Sequence, residues 1–202
     1  NISNWTTDEV NAKVGFRVGV GTEYAFNDMW SLQPTLFFST KGGKLDSGEI
    51  MGVNAKVTVN QMYLELPVMA AARFNVADNT NIVVSAGPYL AYGVGGKTKA
   101  TVEYQGQKAT AKMNTFGKID KMTIEAGGQS HDIPLGDILD PSEYDLSDMK
   151  GLNRFDFGLG VGVALEYQKF IVGLDGQFGL TKLDTDAGKN LNFAISVGYK
   201  FW

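Results

Sequence analysis

The chain has 202 residues, of which 22 are acidic, 18 are basic, 25 are glycine and none is cysteine. The length suits one domain, and a net charge of −4 argues against nucleic-acid binding, which needs a basic stripe. No run of 18 apolar residues exists, so the sequence predicts no transmembrane helix. The chain starts at Asn1 without an initiator Met, so we expect a mature or partial chain.

Residues 154–181 alternate between large apolar side chains and charged or very small ones. The first apolar set is Phe155, Phe157, Leu159, Val161, Val163, Leu165 and Tyr167. The residues between them include Arg154, Asp156, Gly158, Gly160, Gly162 and Glu166. The pattern resumes after Gln168 and Lys169, and a period of two with a two-residue break predicts two strands joined by a tight hairpin.

Each of these strands has one fully apolar face and one face of glycine and charge. Water disfavours the first face, and a dry core would not accept the second. The pattern therefore favours a membrane barrel, with apolar residues toward lipid and charged or small residues toward a narrow lumen.

The same alternation predicts strands in chain order at 13–26, 30–41, 62–74, 82–95, 155–167, 170–181 and 191–202. We expect a turn at 27–28, a polar loop at 42–61, another turn at 75–81 and a large outer loop at about 97–152. Seven long strands are an odd number, whereas bacterial barrels have even numbers with eight as the smallest. The prediction is an all-β, transmembrane, up-and-down antiparallel β-barrel of eight strands. Residues 1–5 would be the outer end of a short or truncated first strand.

Connections and aromatic residues agree with this orientation. Short turns follow residues 26, 74 and 167, and longer connections follow residues 41, 95 and 181, as in outer-membrane barrels. Aromatic residues form two predicted girdles at the membrane interfaces. One girdle, at the short-turn rim, comprises Tyr24, Phe26, Trp30, Phe74, Tyr167, Phe170, Tyr199, Phe201 and Trp202. The other comprises Phe16, Phe38, Tyr92, Phe155, Phe157, Phe178 and Phe193.

Several phrases resemble one known family when taken together. They are Ser31-Leu32-Gln33-Pro34 with Lys41-Gly42, Tyr63-Leu64-Glu65-Leu66-Pro67, Gly87-Pro88-Tyr89-Leu90, residues 155–162 and the closing Val197-Gly198-Tyr199-Lys200-Phe201. This set resembles the small outer-membrane β-barrel (porin-like) proteins of Bacteroidetes. The resemblance implies an exported, eight-stranded barrel in the bacterial outer membrane of a Gram-negative cell, and it implies no particular activity.

The inward face carries a set of charges that we interpret as a structural ion-pair network. The set is Arg17, Glu23, Glu65, Arg73, Arg154, Asp156, Glu166 and Asp175, with Lys13, Lys41 and Lys200 on the same face. Side chains about fill the interior of an eight-stranded barrel, so a plug is favoured over a pore. Pro34, Pro67 and Pro88 lie within strands and predict either bulges or neighbours that do without one hydrogen bond.

No catalytic, cofactor or metal site is predicted. His131, between Ser130 and Asp132, is the only histidine, and adjacent side chains on an extended segment diverge, which argues against a catalytic triad. Neither the acidic stretch at 137–148 nor Asp184-x-Asp186-x-Gly188 completes a calcium motif. Within 97–152 we expect one hairpin around Gln105-Gly106 and another around Gly127-Gly128.

The sequence thus predicts a single, non-enzymatic barrel domain over residues 1–202, with a filled polar lumen and a structural or docking role for its outer loops. We expect it to contact outer-membrane lipid and lipopolysaccharide, and other envelope proteins if it is a subunit of a complex. A small porin-like channel and a soluble lipocalin-type barrel are the alternatives. The second leaves the charged face outside and does not explain the aromatic girdles.

Overall fold

The computed structural model describes residues 2–5, 11–50, 53–137, 150–182 and 188–201. These residues form fourteen strands in one antiparallel sheet and a short 3₁₀ turn, Leu135–Asp137. The strands are β1 Ile2–Trp5, β2 Asn11–Val14, β3 Arg17–Gly21, β4 Tyr24–Ala25, β5 Trp30–Ile50, β6 Val53–Ala77, β7 Thr80–Gly95, β8 Lys97–Tyr104, β9 Gln107–Asn114, β10 Lys121–Ala126, β11 Gln129–Pro134, β12 Phe155–Tyr167, β13 Phe170–Lys182 and β14 Lys189–Tyr199. No helix in this part of the chain is long and apolar enough to cross a membrane.

The wall of the molecule is an up-and-down arrangement. β5, β6 and β7 pair in sequence, β7 pairs with β12, and β12, β13 and β14 continue the series, every pair being antiparallel. Gln168 adopts a left-handed conformation in the turn between β12 and β13, and Asn79 does the same between β6 and β7. Polar turn residues tolerate this conformation. The predicted all-β, antiparallel architecture is confirmed.

The predicted strand at 13–26 is divided into β2, β3 and β4. The chain still hydrogen-bonds to β5 at both breaks, through the pair Phe16 and Thr40 and from the Thr22 nitrogen to the Pro34 oxygen. It therefore remains one continuous edge along β5.

The short strand β1 pairs with β14 on one side and with β2 on the other. Between β1 and the short-turn rim, each of the two neighbouring strands has one partner among the described residues. β3 pairs only with β5, and the part of β14 beyond Phe193 pairs only with β13. Ile195 and Val197 are accordingly 78% and 80% exposed, against 49% for Leu159 in the middle of the wall.

Side chains alternate across the wall as predicted. Apolar residues point outward on every long strand, while Tyr63, Glu65, Tyr89 and Asp156 are buried inside. The predicted girdles appear as ring contacts at both ends. Phe16–Phe38, Tyr92–Phe155 and Phe178–Phe193 pair at one rim, and Tyr24–Phe26, Phe170–Tyr199 and Tyr199–Phe201 pair at the other.

The predicted loop at 42–61 is wrong. β5 continues to Ile50, and β6 begins at Val53, so these two strands extend well past the barrel rim. Residues 53–59 of β6 also pair with β8, which pairs with β9, then β10, then β11. We call residues 43–50 and 53–60 together with β8–β11 the outer sheet. The two predicted hairpins within 97–152 are the pairs β8–β9 and β10–β11, as expected.

The three prolines follow the second of the two predicted alternatives. The pairing register does not shift at Pro34, Pro67 or Pro88, so no bulge lies there. Beside these prolines a few residue pairs are missing from the ladder. The register shifts in the wall lie elsewhere, for example between Met62 and Tyr63.

Candidate functional site

The lumen contains a lower ion cluster of Glu23, Arg73, Glu166 and Lys200 near the short-turn rim. Arg73 Nε lies 3.0 Å from Glu166, and its Nη2 lies 2.7 Å from Glu23. Lys200 Nζ lies 2.8 Å from Glu166 and 3.5 Å from Glu23. Two cations and two carboxylates alternate, so the cluster is neutral and its charges are paired around a ring.

A cavity of about 140 Å³ lies at the middle of the lumen. Arg17 donates to Asp175 at 2.9 Å on its wall, and the Ser196 hydroxyl donates to the same carboxylate oxygen. The Arg17 guanidinium also stacks over the ring of Phe37 at 4.3 Å. This level is therefore polar and paired, with room for a few water molecules.

The upper ion cluster consists of Lys41, Glu65 and Asp156, all with fully buried side chains. Lys41 Nζ lies 2.7 Å from Glu65 and 3.9 Å from Asp156, and it also faces the rings of Tyr63 and Tyr89 at 5.5 and 5.0 Å. The aromatic faces add cation–π attraction to the ion pair. No solvent reaches these three charges.

Hydrogen bonds from surrounding side chains hold both carboxylates of the upper ion cluster. Glu65 accepts from the Ser39 hydroxyl at 2.5 Å and from the Gln177 amide at 3.3 Å. Asp156 accepts from three donors, Tyr89, Thr181 and Asn190, at 3.2, 2.9 and 2.8 Å. The five donors come from four strands, β5, β7, β13 and β14, so the network ties the wall together across the lumen.

A lid closes the lumen above the upper ion cluster. Residues 115–117 and 150–152 cross the mouth side by side, joined by a bond from the Leu152 nitrogen to the Thr115 oxygen and another from Gly151 to Gly117. The Phe116 side chain is buried, with its ring 5.4 Å from that of Tyr63 and packed directly on Gly93. Any side chain at residue 93 would collide with the ring, since a Cβ there would lie 2.7 Å from it.

The outer sheet reverses the polarity of the membrane wall. In β6, Met62 and Leu64 face outward below the rim, but the outward positions above it hold Asn60, Thr58 and Lys56. The inward positions reverse as well, and above the rim they are apolar: Val53, Ala55, Val57 and Val59. Paired strands continue this apolar inner face with Ala100, Val102, Tyr104, Ala109, Ala111, Met113, Met122, Ile124 and Ile133.

The outward face of the outer sheet carries ion pairs. Lys56 pairs with Asp46 at 2.7 Å, Lys112 pairs with Glu125, and Lys121 pairs with Asp132 at 2.7 Å. The Lys121 and Thr123 hydrogen bonds hold the pKa of Asp132 below its usual range. The hydrogen bond with Asp132 raises the pKa of Lys121. This face is solvated, which places it above the hydrocarbon.

Seven of the eight charges predicted as a lumen network take part in the two clusters or in the Arg17–Asp175 pair. Arg154 does not. Its guanidinium donates to the Gly93 carbonyl oxygen at 2.7 Å, beside Phe116, and makes no ion pair with a described residue. It therefore fastens the lid to the rim of β7.

The remaining candidates are not assembled into a site. His131 and Asp132 are consecutive on β11, so their side chains leave opposite faces of the strand. Asp137 is exposed, while residues 140–148, Asp184 and Asp186 lie outside the described residues. Among the described residues no three His, Cys, Asp or Glu side chains are grouped so that they could hold a metal ion.

Sequence reasoning did not identify the part played by Phe116, Asn190 and Asn192. Phe116 is an isolated aromatic residue in a polar stretch, which is the one local signal for a buried contact. The two asparagines occupy inward positions of β14, and only Asn192 lies within the predicted strand 191–202. Their hydrogen bonds depend on strands distant in sequence.

The comparison with protein families agrees with this architecture. Residues 1–185 match a family model described as an outer membrane protein beta-barrel domain. Among solved structures the chain is similar to Ail, the attachment invasion locus protein of Yersinia pestis, with 14% identity, coverage of 98% of this chain and 91% of that chain, and a TM-score of 0.34. No curated protein matches the sequence.

Proposed function

The chain belongs to the outer membrane protein beta-barrel domain family and lies in the bacterial outer membrane, and from this premise we propose that it is a non-enzymatic docking protein. In this proposal the barrel is an anchor with a filled lumen, and the outer sheet contacts another component of the cell envelope or surface.

The observation that carries this proposal is the apolar inner face of the outer sheet. Near the tip of the β8–β9 hairpin, Val102 is 46% exposed and Tyr104 is 50% exposed. The face of β8 that carries them has no acidic residue and no lysine. Above the membrane such side chains gain nothing from lipid. Exposed apolar surface on a rigid sheet marks an interaction site.

A role as a channel has less support. Three fully buried charges and the Phe116 lid occupy the upper lumen, and the four charges of the lower ion cluster occupy the other end. We expect planar bilayers containing the protein to show no unit conductance step. A reproducible step of defined size would favour the porin-like alternative.

Among the residues that the structure describes, no candidate centre supports an enzymatic role. The sole histidine lies on the opposite face of β11 from Asp132, whose carboxylate is bound by Lys121 and Thr123. Replacing His131 by alanine is expected to leave lipid profiles and surface proteolysis unchanged.

We also propose that the wall is a closed barrel of eight strands, in which β2–β4 act as one strand and β1 joins β14 to β2. Ile2 is opposite Phe193 on one side and Val14 on the other, which supports this arrangement. The cysteine pairs Ile2→Cys with Phe193→Cys and Ile2→Cys with Val14→Cys should both form disulfides in native membranes. Failure of either pair would leave the wall open at β1.

Lipid and lipopolysaccharide are the proposed surroundings of the wall. Lys44, Lys97 and Lys99 are exposed above the upper aromatic girdle, where their ammonium groups can meet phosphate groups of lipopolysaccharide. Replacing all three by glutamine should weaken co-purification of lipopolysaccharide without changing the barrel.

Site-specific photo-crosslinking tests the docking role. A photoreactive amino acid at Val102 samples the apolar inner face, whereas the same group at neighbouring Glu103 samples the polar face of the same strand. In native membranes we expect a discrete adduct from residue 102 and none from residue 103. Equal labelling at both positions, or none at either, would contradict docking through this face.

A further inference from the structure

The lid and the adjoining rim of the barrel carry opposed pairs of lysines. Lys118 follows the first lid segment and Lys150 begins the second, and the two residues lie directly opposite each other in an antiparallel bridge, both exposed. Lys182 and Lys189 are opposite each other in the same way at the upper ends of β13 and β14. The Asn153 amide joins the lid to this rim by donating to the Lys182 carbonyl oxygen at 3.2 Å. We call the following residues the basic mouth: Lys118, Lys150, Arg154, Lys182 and Lys189.

Within the part of the chain that the structure describes, negative charge does not balance the basic mouth. Asp120 is the only acidic residue in the described stretches that form the lid and this rim, which are 115–120, 150–154, 181–182 and 188–190. Lys118 and Lys150 make no ion pair with a described residue, unlike the three paired lysines of the outer sheet. Like charges directly opposite each other across paired backbone are destabilising, so an anion between these two lysines would stabilise the lid.

The basic mouth is continuous with the apolar inner face of the outer sheet. Leu152 of the lid packs against Val59 at the base of that face and against the buried cluster that contains Phe116. Lys118 lies just before β10, which begins at Lys121. The inward positions of β8–β11 hold no acidic residue, no lysine and no arginine. An apolar surface and a basic surface therefore meet above the closed lumen.

We propose that the docking partner is an acidic polypeptide segment that also bears apolar side chains. The apolar side chains lie along the inner face up to Val102, and the carboxylates bind between Lys118 and Lys150. A polysaccharide or a free phosphate supplies negative charge without side chains for the apolar face, and a basic segment leaves the lysines opposed. This inference rests on the proposed docking role and adds the chemical class of the partner.

Binding of synthetic peptides to the full chain tests the proposal. The protein is placed in nanodiscs of phosphatidylcholine alone, which removes lipopolysaccharide as a source of phosphate. We expect a labelled peptide that alternates glutamate and leucine to bind, with a dissociation constant that rises about tenfold when sodium chloride is raised from about 0.1 to about 1 M. Polyglutamate, which has no apolar side chain, and a peptide that alternates lysine and leucine should each bind at least about tenfold more weakly.

Two matched double variants locate the charge. Lys118→Gln with Lys150→Gln removes the opposed lysines of the lid and should weaken binding of the glutamate–leucine peptide about tenfold. Lys99→Gln with Lys108→Gln makes the same change in net charge on the outward face of the outer sheet and should leave binding unchanged. All four lysines are exposed, so neither change removes a packed side chain.

The proposal is overturned if polyglutamate binds as tightly as the glutamate–leucine peptide, which would indicate a site for any polyanion, or if both double variants bind alike. Replacing the acidic residues of this chain's own stretch 140–148 by their amides should leave peptide binding unchanged. Tighter binding in that variant would assign the two lysines to this stretch and would equally refute an external acidic partner.

Photo-crosslinking in native membranes separates this inference from the docking role. The adduct at residue 102 should be lost in Lys118→Gln with Lys150→Gln and kept in Lys99→Gln with Lys108→Gln. An adduct that survives the loss of both lid lysines would leave docking intact and overturn the acidic partner. The absence of any adduct in the chain with all its lysines would refute docking itself, and this inference with it.

Discussion

The membrane wall and the outer sheet are built from the same two strands, β5 and β6, yet they have opposite polarity. Below the rim, apolar side chains face outward and the charges are inside; above it, Lys56 faces outward and Val57 faces inward. Backbone pairing is continuous through the transition, since Gln61 pairs with Lys41 and Asn60 with Gly42. The comparison teaches that the surrounding solvent, and not the strand, decides which face is apolar.

The largest expected difference between the two regions concerns their ion pairs. Lys41→Met leaves two buried carboxylates without their ammonium partner and should lower the free energy of unfolding by about 3–5 kcal/mol. Lys56→Met, which breaks a solvent-exposed pair of similar length in the outer sheet, should cost less than about 1 kcal/mol. Urea titration of both variants in lipid vesicles measures the two values. Equal losses would mean that the lumen is hydrated at Lys41.

The next largest difference should come from an added charge on the outward face of each region, which we expect to destabilise the membrane wall more than the outer sheet. Val161→Arg puts a guanidinium on the lipid face near the middle of β12 and should cost about 2–4 kcal/mol. Thr101→Arg, on the outward face of the outer sheet, should cost less than about 1 kcal/mol, through loss of the hydrogen bond between the Thr101 and Thr110 hydroxyls. The same urea titrations apply. A neutral Val161→Arg would place that face in water and contradict the assigned orientation.

The lid lies between the two regions and gives a smaller effect. Gly93→Ala brings a Cβ against the Phe116 ring and should destabilise the folded state by about 1–3 kcal/mol. Proteolysis within residues 115–118 should become faster in this variant. Adding Phe116→Ala removes the collision, so the double variant should lose less than the sum of the two single changes. Strict additivity would show that the ring does not rest on residue 93.

The smallest effect is the pH dependence of the Lys121–Asp132 pair. Because the folded pKa of Asp132 is lowered, its contribution is complete above the ordinary value of about 4 and is lost as the pH falls through the lower folded value. Because the folded pKa of Lys121 is raised, its contribution is complete below the ordinary value of about 10.4 and is lost as the pH rises through the folded value. Amide exchange in β11 should therefore increase at both extremes. Asp132→Asn should remove both dependences.

Most of the wall could be predicted from the sequence because lipid imposes a strict alternation on every strand. The strands at 155–167 and 170–181, their hairpin and both aromatic girdles follow from that rule alone. The segment 42–61 was misread for the same reason. Above the rim the apolar residues of β6 occupy odd positions, such as Val59, instead of even ones, such as Met62. The alternation expected for contact with lipid therefore ends at the rim, although the strand itself continues.

The lumen was predictable in composition but not in pairing. Strand alternation shows which charged residues face inward. The ion-pair partner of each one depends on barrel shear and on side chains from strands far apart in sequence. Arg154 shows the limit, because its position on the inward face suggested an ion pair, whereas its guanidinium donates to the Gly93 carbonyl oxygen of β7. Phe116 lies outside any periodic segment, so its burial follows only from the path of the loop.

The reversal of polarity at the rim has a further consequence for where the protein can reside. The hydrophobic height of the wall is the distance from the aromatic ring contacts at the short turns to Lys97 and Asn60, the polar residues that follow Val94 and Met62 on the outward face. A thicker bilayer would draw Lys97 and Asn60 into acyl chains, and a thinner one would leave Tyr92 and Phe155 in water. Mismatch in either direction is penalised for each ångström, so the strands themselves select membranes of one thickness.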